Sequence, residues 1–377
     1  MNPYPLRRER LVQRLQEEQL DALLVSHPVN VSYLTGFSGD SSYLLVGKQQ
    51  SRLISDGRFT EQLAEECPGL DAYIRPSGEL LPAAVAKVLT QSGLHSVGFE
   101  SGHLSVAEFD GYRESAKTID WKPGRDRVEQ LRVVKDEAEI AEIREAIAFA
   151  EKAFAMFQAM LRPEDSEKEL HDAMEMYIRR AGGRCSSFPA IIAAGPRAAL
   201  AHAPPTSATA GDCNLLLVDW GASGRFYKSD LTRVLIPRNH SAFSRPPQRQ
   251  RETDGKLEQV YATVLNAQQQ AIQALRPGVT GHNVDAAARK VIAEAGYGDF
   301  FIHSVGHGLG MQVHEGPSLR ANIQEVLQAG NVVTVEPGIY LPGWGGIRIE
   351  DDVLVTEDGC EVLTHVPKDF ASAHLDW

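Results

Sequence analysis

The chain has 377 residues, 43% hydrophobic and 23% charged, with a formal net charge of -12 and a sequence pI near 5.5. That composition supplies more than one ordinary core and argues against extended disorder, while an acidic balance repels phosphate backbones and speaks against nucleic acid as a partner. No apolar run approaches the ~18 residues of a membrane helix, residues 1–13 do not read as a signal peptide, and Cys67, Cys185, Cys213 and Cys360 lack CxxC spacing. The expectation is therefore a cytoplasmic protein with reduced thiols, no membrane segment, and a chance match to the glycosylation pattern at Asn30-Val31-Ser32.

In chain order, residues 7–19 carry a helical signal, with Leu11, Val12 and Leu15 on one side, and Ala22-Leu23-Leu24-Val25 reads as a short buried strand. Tyr43-Leu44-Leu45-Val46 and Leu53-Ile54 follow as strands and residues 80–90 as a helix. The alternation predicts a small three-layer α/β domain ending within residues 115–132. The turn-rich Trp121-Lys122-Pro123-Gly124 is the expected linker.

The clearest helix follows. Ile140, Ile143, Ile147, Ala150, Phe154, Phe157 and Leu161 form one stripe spaced by threes and fours. Asp136 is its expected N-cap with Glu139 three residues on, and Pro163 its stop. Further helices are predicted over 166–181 (ended by Gly182-Gly183), 256–275 (ended by Pro277-Gly278) and 283–295 (ended by Gly296). Their stripes suit packing onto a sheet. Strands are predicted over 215–219, 226–236, 332–335 and 347–355. Residues 238–254, rich in Pro, Gln, Arg and Ser, read as an exposed inserted loop without chemistry. There is no repeat at solenoid or propeller periods.

Two acid pairs stand out. Asp219 and Asp230 each sit in an otherwise apolar or neutral strand, equidistant from a turn midpoint between Gly224 and Arg225. A simple hairpin would set them directly opposite, with Cβ atoms about 5 Å apart. Carboxylates that close repel one another unless a cation lies between them. Glu336 and Glu350 repeat the arrangement about Gly343. Bulges can shift either register. To these acids the sequence adds His303, His307 and His314, in a segment that also holds Gly306, Gly308 and Gly310 and is too flexible for a regular helix or strand. Four carboxylates and one imidazole suit hard or borderline cations such as Mn²⁺, Co²⁺ or Zn²⁺.

These residues bring the chain to a known pattern. Leu217-Val218-Asp219-Trp220-Gly221-Ala222, Lys228-Ser229-Asp230-Leu231-Thr232-Arg233, Gly306-His307-Gly308-Leu309-Gly310 with His314-Glu315-Gly316-Pro317, Val335-Glu336-Pro337-Gly338-Ile339-Tyr340 and Gly346-Ile347-Arg348-Ile349-Glu350-Asp351 resemble the signatures of the pita-bread metallopeptidases, in the Xaa-Pro aminopeptidase and prolidase branch. Asn30-Val31-Ser32-Tyr33-Leu34-Thr35-Gly36-Phe37 and Ser55-Asp56-Gly57-Arg58-Phe59 resemble the N-terminal domain of aminopeptidases P. The resemblance implies an α/β creatinase/prolidase-type N-terminal domain over residues 1–125, a linker over 126–134 and an α+β pita-bread catalytic domain over 135–377. The 238–254 segment departs from the pattern by its length.

By that resemblance Asp219 would bind one metal, His307 and Glu336 the other, and Asp230 and Glu350 both. The metals would most naturally be two Mn²⁺, with Co²⁺ or Zn²⁺ as substitutes, lowering the pKa of a shared water. Glu336 would also shuttle the proton to the leaving prolyl nitrogen. His202, His303 and His314 would orient the substrate and stabilise the oxyanion. Arg348 would pair with a substrate or ligand carboxylate, a structural ion pair being the plain alternative, and Arg58 is a candidate contribution from a neighbouring subunit. The implied substrate is a peptide with proline in second position, and the implied assembly a homodimer.

Rivals are an Xaa-Pro dipeptidase, metal-free creatine hydrolysis on the same fold, and a non-catalytic binding protein. Five intact ligand positions argue against the last two. A dinucleotide-binding reading of the glycine-rich segment fails on its spacing.

Overall fold

The computed structural model describes residues 2–237 and 247–375. The chain divides into two compact units, Met1–Arg132 and Val133–Trp377. Among the described residues no helix is long and apolar enough to cross a membrane, and the four cysteines are free.

The first unit runs α1 (Tyr4–Glu17), β1 (Ala22–Val25), α2 (Pro28–Thr35), β2 (Tyr43–Gly47), β3 (Ser51–Asp56), α3 (Thr60–Glu66), β4 (Asp71–Arg75), α4 (Leu81–Ser92), β5 (Ser96–Glu100), α5 (Val106–Ser115), β6 (Asp120–Gly124) and α6 (Glu129–Arg132). Its six-stranded mixed sheet has the order β4-β3-β2-β1-β5-β6. All four residues of β1 are buried, as expected of a strand covered on both faces. Ala22 and Leu24 pack with Val85, Val88 and Leu89 of α4, while α1 lies against β1 and β2. Leu11 and Leu15, one turn apart on α1, are buried. These layers carry the three-layer expectation.

One expectation fails here. Trp121-Lys122-Pro123-Gly124 is not a linker but most of β6, paired in parallel with β5. Trp121 packs edge-on against Phe99 and Phe109. Because β6 is the outermost strand, Pro123 costs the sheet no hydrogen bond on its free side, so a turn-like dipeptide sits in a strand.

The second unit begins with α7 (Glu137–Met160) and α8 (Glu167–Ala181). Both open with reciprocal capping boxes, Asp136 with Glu139 and Ser166 with Glu169, and α8 closes on Gly182 at φ 115°. Then come β7 (Cys185–Ser186), β8 (Ile191–Ala194), β9 (Leu216–Trp220), β10 (Ala222–Ser223), β11 (Leu231–Pro237), α9 (Pro247–Ala274) and α10 (Gly281–Glu294). The chain finishes with β12 (Gly306–Gly308), β13 (Glu315–Leu319), β14 (Val332–Val335), β15 (Gly338–Leu341), β16 (Gly345–Arg348), β17 (Asp351–Val355), β18 (Cys360–Val362) and β19 (His374–Leu375).

Helix α9 starts well before residue 256, so residues 247–254 are helical rather than loop. Its opening is rich in Gln, Arg and Glu, good helix formers, behind a proline at the first helical position. Residues 238–246 of the expected insertion lie outside the described residues. The predicted strand over 226–236 starts only at Leu231, and that over 347–355 is interrupted after Arg348.

Three sheets position the chemistry. In the sheet β19-β11-β9-β8, Leu216, Val218, Trp220, Leu231 and Leu235 pack against α7 and α8. Leu217, Val234 and Ile236 pack on the other side, with α9 and α10. Side chains alternate along a strand, so Asp219, Asp230 and Thr232 face that second side. In the five-stranded sheet β13-β12-β14-β17-β18, Val333 and Val335 point into the core, as do Ile347 of the two-stranded β15-β16 sheet and Ile349 just beyond it. Alternation then turns Thr334, Glu336, Arg348 and Glu350 the opposite way.

Candidate metal centre

Those alternations meet in one cavity of about 900 Å³ lined by all nine expected site residues: His202, Asp219, Asp230, His303, His307, His314, Glu336, Arg348 and Glu350. Their registers differ from one hairpin to the other. In β9–β11 the partner of Asp219 is Thr232, not Asp230. The loop is only Arg225-Phe226, since the Gly224 N–H donates to the Tyr227 carbonyl at 2.8 Å. The midpoint therefore moves by one residue and the register by two. A two-residue shift keeps both acids on one face, so they are diagonal neighbours rather than directly opposed. Across from Asp230 lies Gly221, where a Cβ would sit 1.9 Å from the Ser229 carbonyl oxygen.

The second hairpin keeps its expected register. Val335 pairs with Asp351 and Gly338 with Arg348, which leaves Glu336 opposite Glu350 about Gly343. The two strands part at that point. The Glu336 N–H donates to the Val305 carbonyl at 2.7 Å, whereas the Glu350 N–H donates to that of Thr232 at 3.2 Å. Each acid's backbone is thus tied to a different neighbouring segment, Glu336 to the chain just before β12 and Glu350 to β11.

His307 lies in β12, a three-residue strand where no regular structure was expected. Its flanking glycines allow tight pairing rather than flexibility: a Cβ on Gly306 would meet the Thr334 carbonyl oxygen at 2.0 Å, and one on Gly308 that of Gly316 at 2.1 Å.

The electrostatics are those of crowded acids. Burial pushes the Asp230 and Glu350 carboxyls well above the usual range, and neighbouring acids add to the shift. Burial likewise raises Glu336 to about 8 and raises Asp219, the latter opposed by Arg348. Burial lowers His307 to about 4, so its ring is neutral. Its Nδ1 lies 3.1 Å from the Gly308 carbonyl, which only an N–H can satisfy. The Nε2 lone pair therefore faces Glu336 Oε1 at 3.4 Å and Asp230 Oδ2 at 3.7 Å.

A divalent cation fits this arrangement. One ligand atom each of Asp230, His307 and Glu350 lies within 4.8 Å of the others. Asp219 Oδ1 is buried without a hydrogen-bond partner. A lone pair, an orphaned carboxylate oxygen and acids that raise one another's pKa all seek positive charge. The His307 tautomer is the one metal-ligating histidines adopt when their other nitrogen is tied to a carbonyl.

Around these groups runs a second set of contacts. Arg348 is buried and donates Nη2 to Asp219, Nε to Thr232 Oγ1 at 3.1 Å and Nη1 to the Tyr340 hydroxyl at 2.8 Å. Thr232 in turn donates to Glu350 Oε2 at 2.6 Å. His303 spends both ring nitrogens inside the chain, Nδ1 on the Ser304 carbonyl and Nε2 on the Tyr340 hydroxyl, each at 2.8 Å. His202 and His314 are exposed within the cavity. Sequence reasoning gave Thr232 and Tyr340 no role. A signal existed, because Thr232 shares strand parity with Asp230, and Tyr340 the even spacing of Glu336. Arg58 lies in the first unit, on Asp56 at 2.9 Å.

Residues 141–357 match the metallopeptidase family M24 and residues 7–134 the creatinase/prolidase N-terminal domain. The chain is 32% identical to the Xaa-Pro dipeptidase of Pyrococcus furiosus, covering 97% of this chain and 99% of that one. Its fold superposes on a Bacillus anthracis Xaa-Pro dipeptidase with TM-score 0.88 and 34% identity, over 97% and 99% of the two chains. An X-Pro aminopeptidase from Thermotoga maritima gives TM-score 0.85 and 33% identity, over 96% and 99%. A creatinase-type N-terminal domain thus precedes a pita-bread domain, and the chain belongs to the metallopeptidase family M24 as a peptidase.

Proposed function

We propose that this enzyme hydrolyses the bond between an N-terminal residue and a following proline, with two divalent metal ions held by Asp219, Asp230, His307, Glu336 and Glu350. One observation carries the reading: three buried carboxylates, Asp219, Asp230 and Glu350, and the half-buried Glu336, from two hairpins, converge with a neutral imidazole whose lone pair points among them. Divalent cations bound there supply Lewis-acid chemistry, polarising a carbonyl and lowering the pKa of a nearby water. Glu336, beside the His307 ring at 3.4 Å, would take the proton of the attacking water and return it to the leaving prolyl nitrogen. His202 and His314, exposed in the cavity, orient the substrate and receive charge on the carbonyl oxygen. His303 acts through Tyr340, which it holds beside Arg348, and Arg348 fixes Asp219. The donor set of one imidazole and four carboxylates favours Mn²⁺, with Co²⁺ or Zn²⁺ as substitutes. The same reading takes the working form as a cytoplasmic homodimer, to be checked by sedimentation equilibrium.

A second reading, an Xaa-Pro dipeptidase, is favoured by the names of the Pyrococcus and Bacillus relatives. One assay separates the two. The metal-stripped enzyme, with and without restored Mn²⁺, is given an X-Pro dipeptide and an X-Pro-X tripeptide. Metal-dependent cleavage of the tripeptide supports the aminopeptidase, and cleavage of the dipeptide alone supports the dipeptidase. Failure on both sinks the proposal.

A further inference from the structure

Residues 301–305 lead into the strand that bears His307, yet they form neither helix nor strand. Something else must fix their backbone. Helix α10 supplies it with Asp285, which is 1% exposed, and Arg289 one turn later. The guanidinium grips the carboxylate at two points, Nε on Oδ2 and Nη2 on Oδ1, both 2.9 Å. It also donates Nη1 to the Phe301 carbonyl at 3.0 Å and Nη2 to the His303 carbonyl at 2.9 Å. Its carbon lies 4.3 Å from the centroid of the Phe301 ring. Asp285 Oδ1 accepts the Val305 N–H at 3.1 Å, a donor shared with the Leu319 carbonyl.

The pair therefore pins residues 301, 303 and 305 in succession. Each pinned residue leads to the site. His303 holds Tyr340, the Val305 carbonyl receives the Glu336 N–H, and His307 follows two residues on. Neither Asp285 nor Arg289 is among the residues that line the cavity. An ordinary i,i+4 ion pair on a helix surface contributes little and orders nothing beyond itself. This one makes planar, two-point contact with a buried carboxylate while binding backbone, a geometry that arginine forms and lysine does not.

We propose that Asp285 and Arg289 are positioning residues for the peptidase reaction, clamping the 301–305 backbone so that His303, Glu336 and His307 keep their mutual geometry. The proposal rests on the peptidase reading above. Outer contacts of this kind typically change activity by about 10–100-fold when removed.

The test compares the full-length parent with Arg289→Gln, Arg289→Lys and a control, Val284→Ala, which loses packing on the same helix but keeps the clamp. Steady-state kinetics on an X-Pro peptide with Mn²⁺ are read beside thermal unfolding and hydrogen exchange of the 298–311 segment. Arg289→Gln is expected to lower kcat about 10–100-fold with KM within about twofold, and to speed exchange in that segment. Arg289→Lys should recover part of the loss. Val284→Ala should lower the melting temperature while holding kcat near the parent's. A folded Arg289→Gln with parental kcat, or an equal loss in Val284→Ala, overturns the clamp. Should Arg289→Gln fail to fold, Arg289→Lys decides: slowed turnover with faster local exchange supports the proposal, and parental values for both overturn it. A parent inactive on every X-Pro peptide instead overturns the peptidase reading, and the clamp's role with it.

Discussion

Glu336 and Glu350 sit opposite each other in the register, yet only Glu336 has its backbone turned toward the histidine segment through Val305. That asymmetry suits Glu336 to the role of proton carrier in the proposed reaction. Glu336→Gln keeps the shape of the side chain but cannot carry the proton. It is expected to lower kcat by roughly 10²–10⁴-fold, and stopped-flow turnover near the parent's would show the role lies elsewhere. Arg348 calls for a different experiment. It is the buried partner of Asp219, so Arg348→Met leaves a buried carboxylate without its cation. Breaking such a pair from one side typically costs about 3–5 kcal/mol. Thermal melts of the metal-stripped variant should show the full loss, and added Mn²⁺ should recover part of it through Asp219 Oδ1. Equal deficits with and without metal would disconnect Arg348 from the ion.

Element by element, the site was legible where apolar alternation was clean and turn length was readable. The pairing of Glu336 with Glu350 about Gly343 follows from the sequence because one ladder register runs through both β14–β17 and β15–β16. The pairing of Asp219 with Asp230 does not, because Gly221-Ala222-Ser223-Gly224 looks like the turn while the loop is Arg225-Phe226. A glycine-rich stretch read as a turn was instead a place of close approach between strands. The same confusion placed a linker on β6, where Pro123 and Gly124 end an edge strand. Hydrogen-bond relays such as Tyr340–His303 were invisible to spacing, since they join residues by side-chain reach rather than by period. Gly221 tests this account. An added Cβ would collide with the Ser229 carbonyl, so Gly221→Ala should displace Asp230 as well as destabilise the unit, by about 1–3 kcal/mol or more as an overpacked site. Urea unfolding and Mn²⁺ titration measure the two effects. A variant with parental metal affinity would mean that the Gly221–Asp230 register does not position the ligand.

Across the whole molecule, the acid cluster sets how stability should depend on pH and metal together. Without a cation the folded state raises Glu336 to about 8, against about 4.3 for an unperturbed glutamate. Between those values the folded chain holds a proton that the unfolded chain has released, so stability falls as pH rises. Asp230 and Glu350, also raised, act in the same direction. Asp351 acts oppositely: burial would raise it, but Arg233 and Lys368 hold it at about 2. Its contribution is complete above the unfolded aspartate value near 3.9 and is lost as pH falls toward 2. The metal-stripped protein should therefore melt highest in mild acid and lose melting temperature steadily up to about pH 8. Metal reverses the second slope, because the cation takes the place of the protons and its binding releases them. The gap in melting temperature between Mn²⁺-saturated and stripped protein should widen with rising pH across that interval. Calorimetric titration in two buffers of different ionisation enthalpy should register net proton release. A gap that stays constant from pH 5 to 8.5, with no proton release, would mean that the carboxylates are already ionised before metal binds, and that the folded chain bears their mutual repulsion by other means.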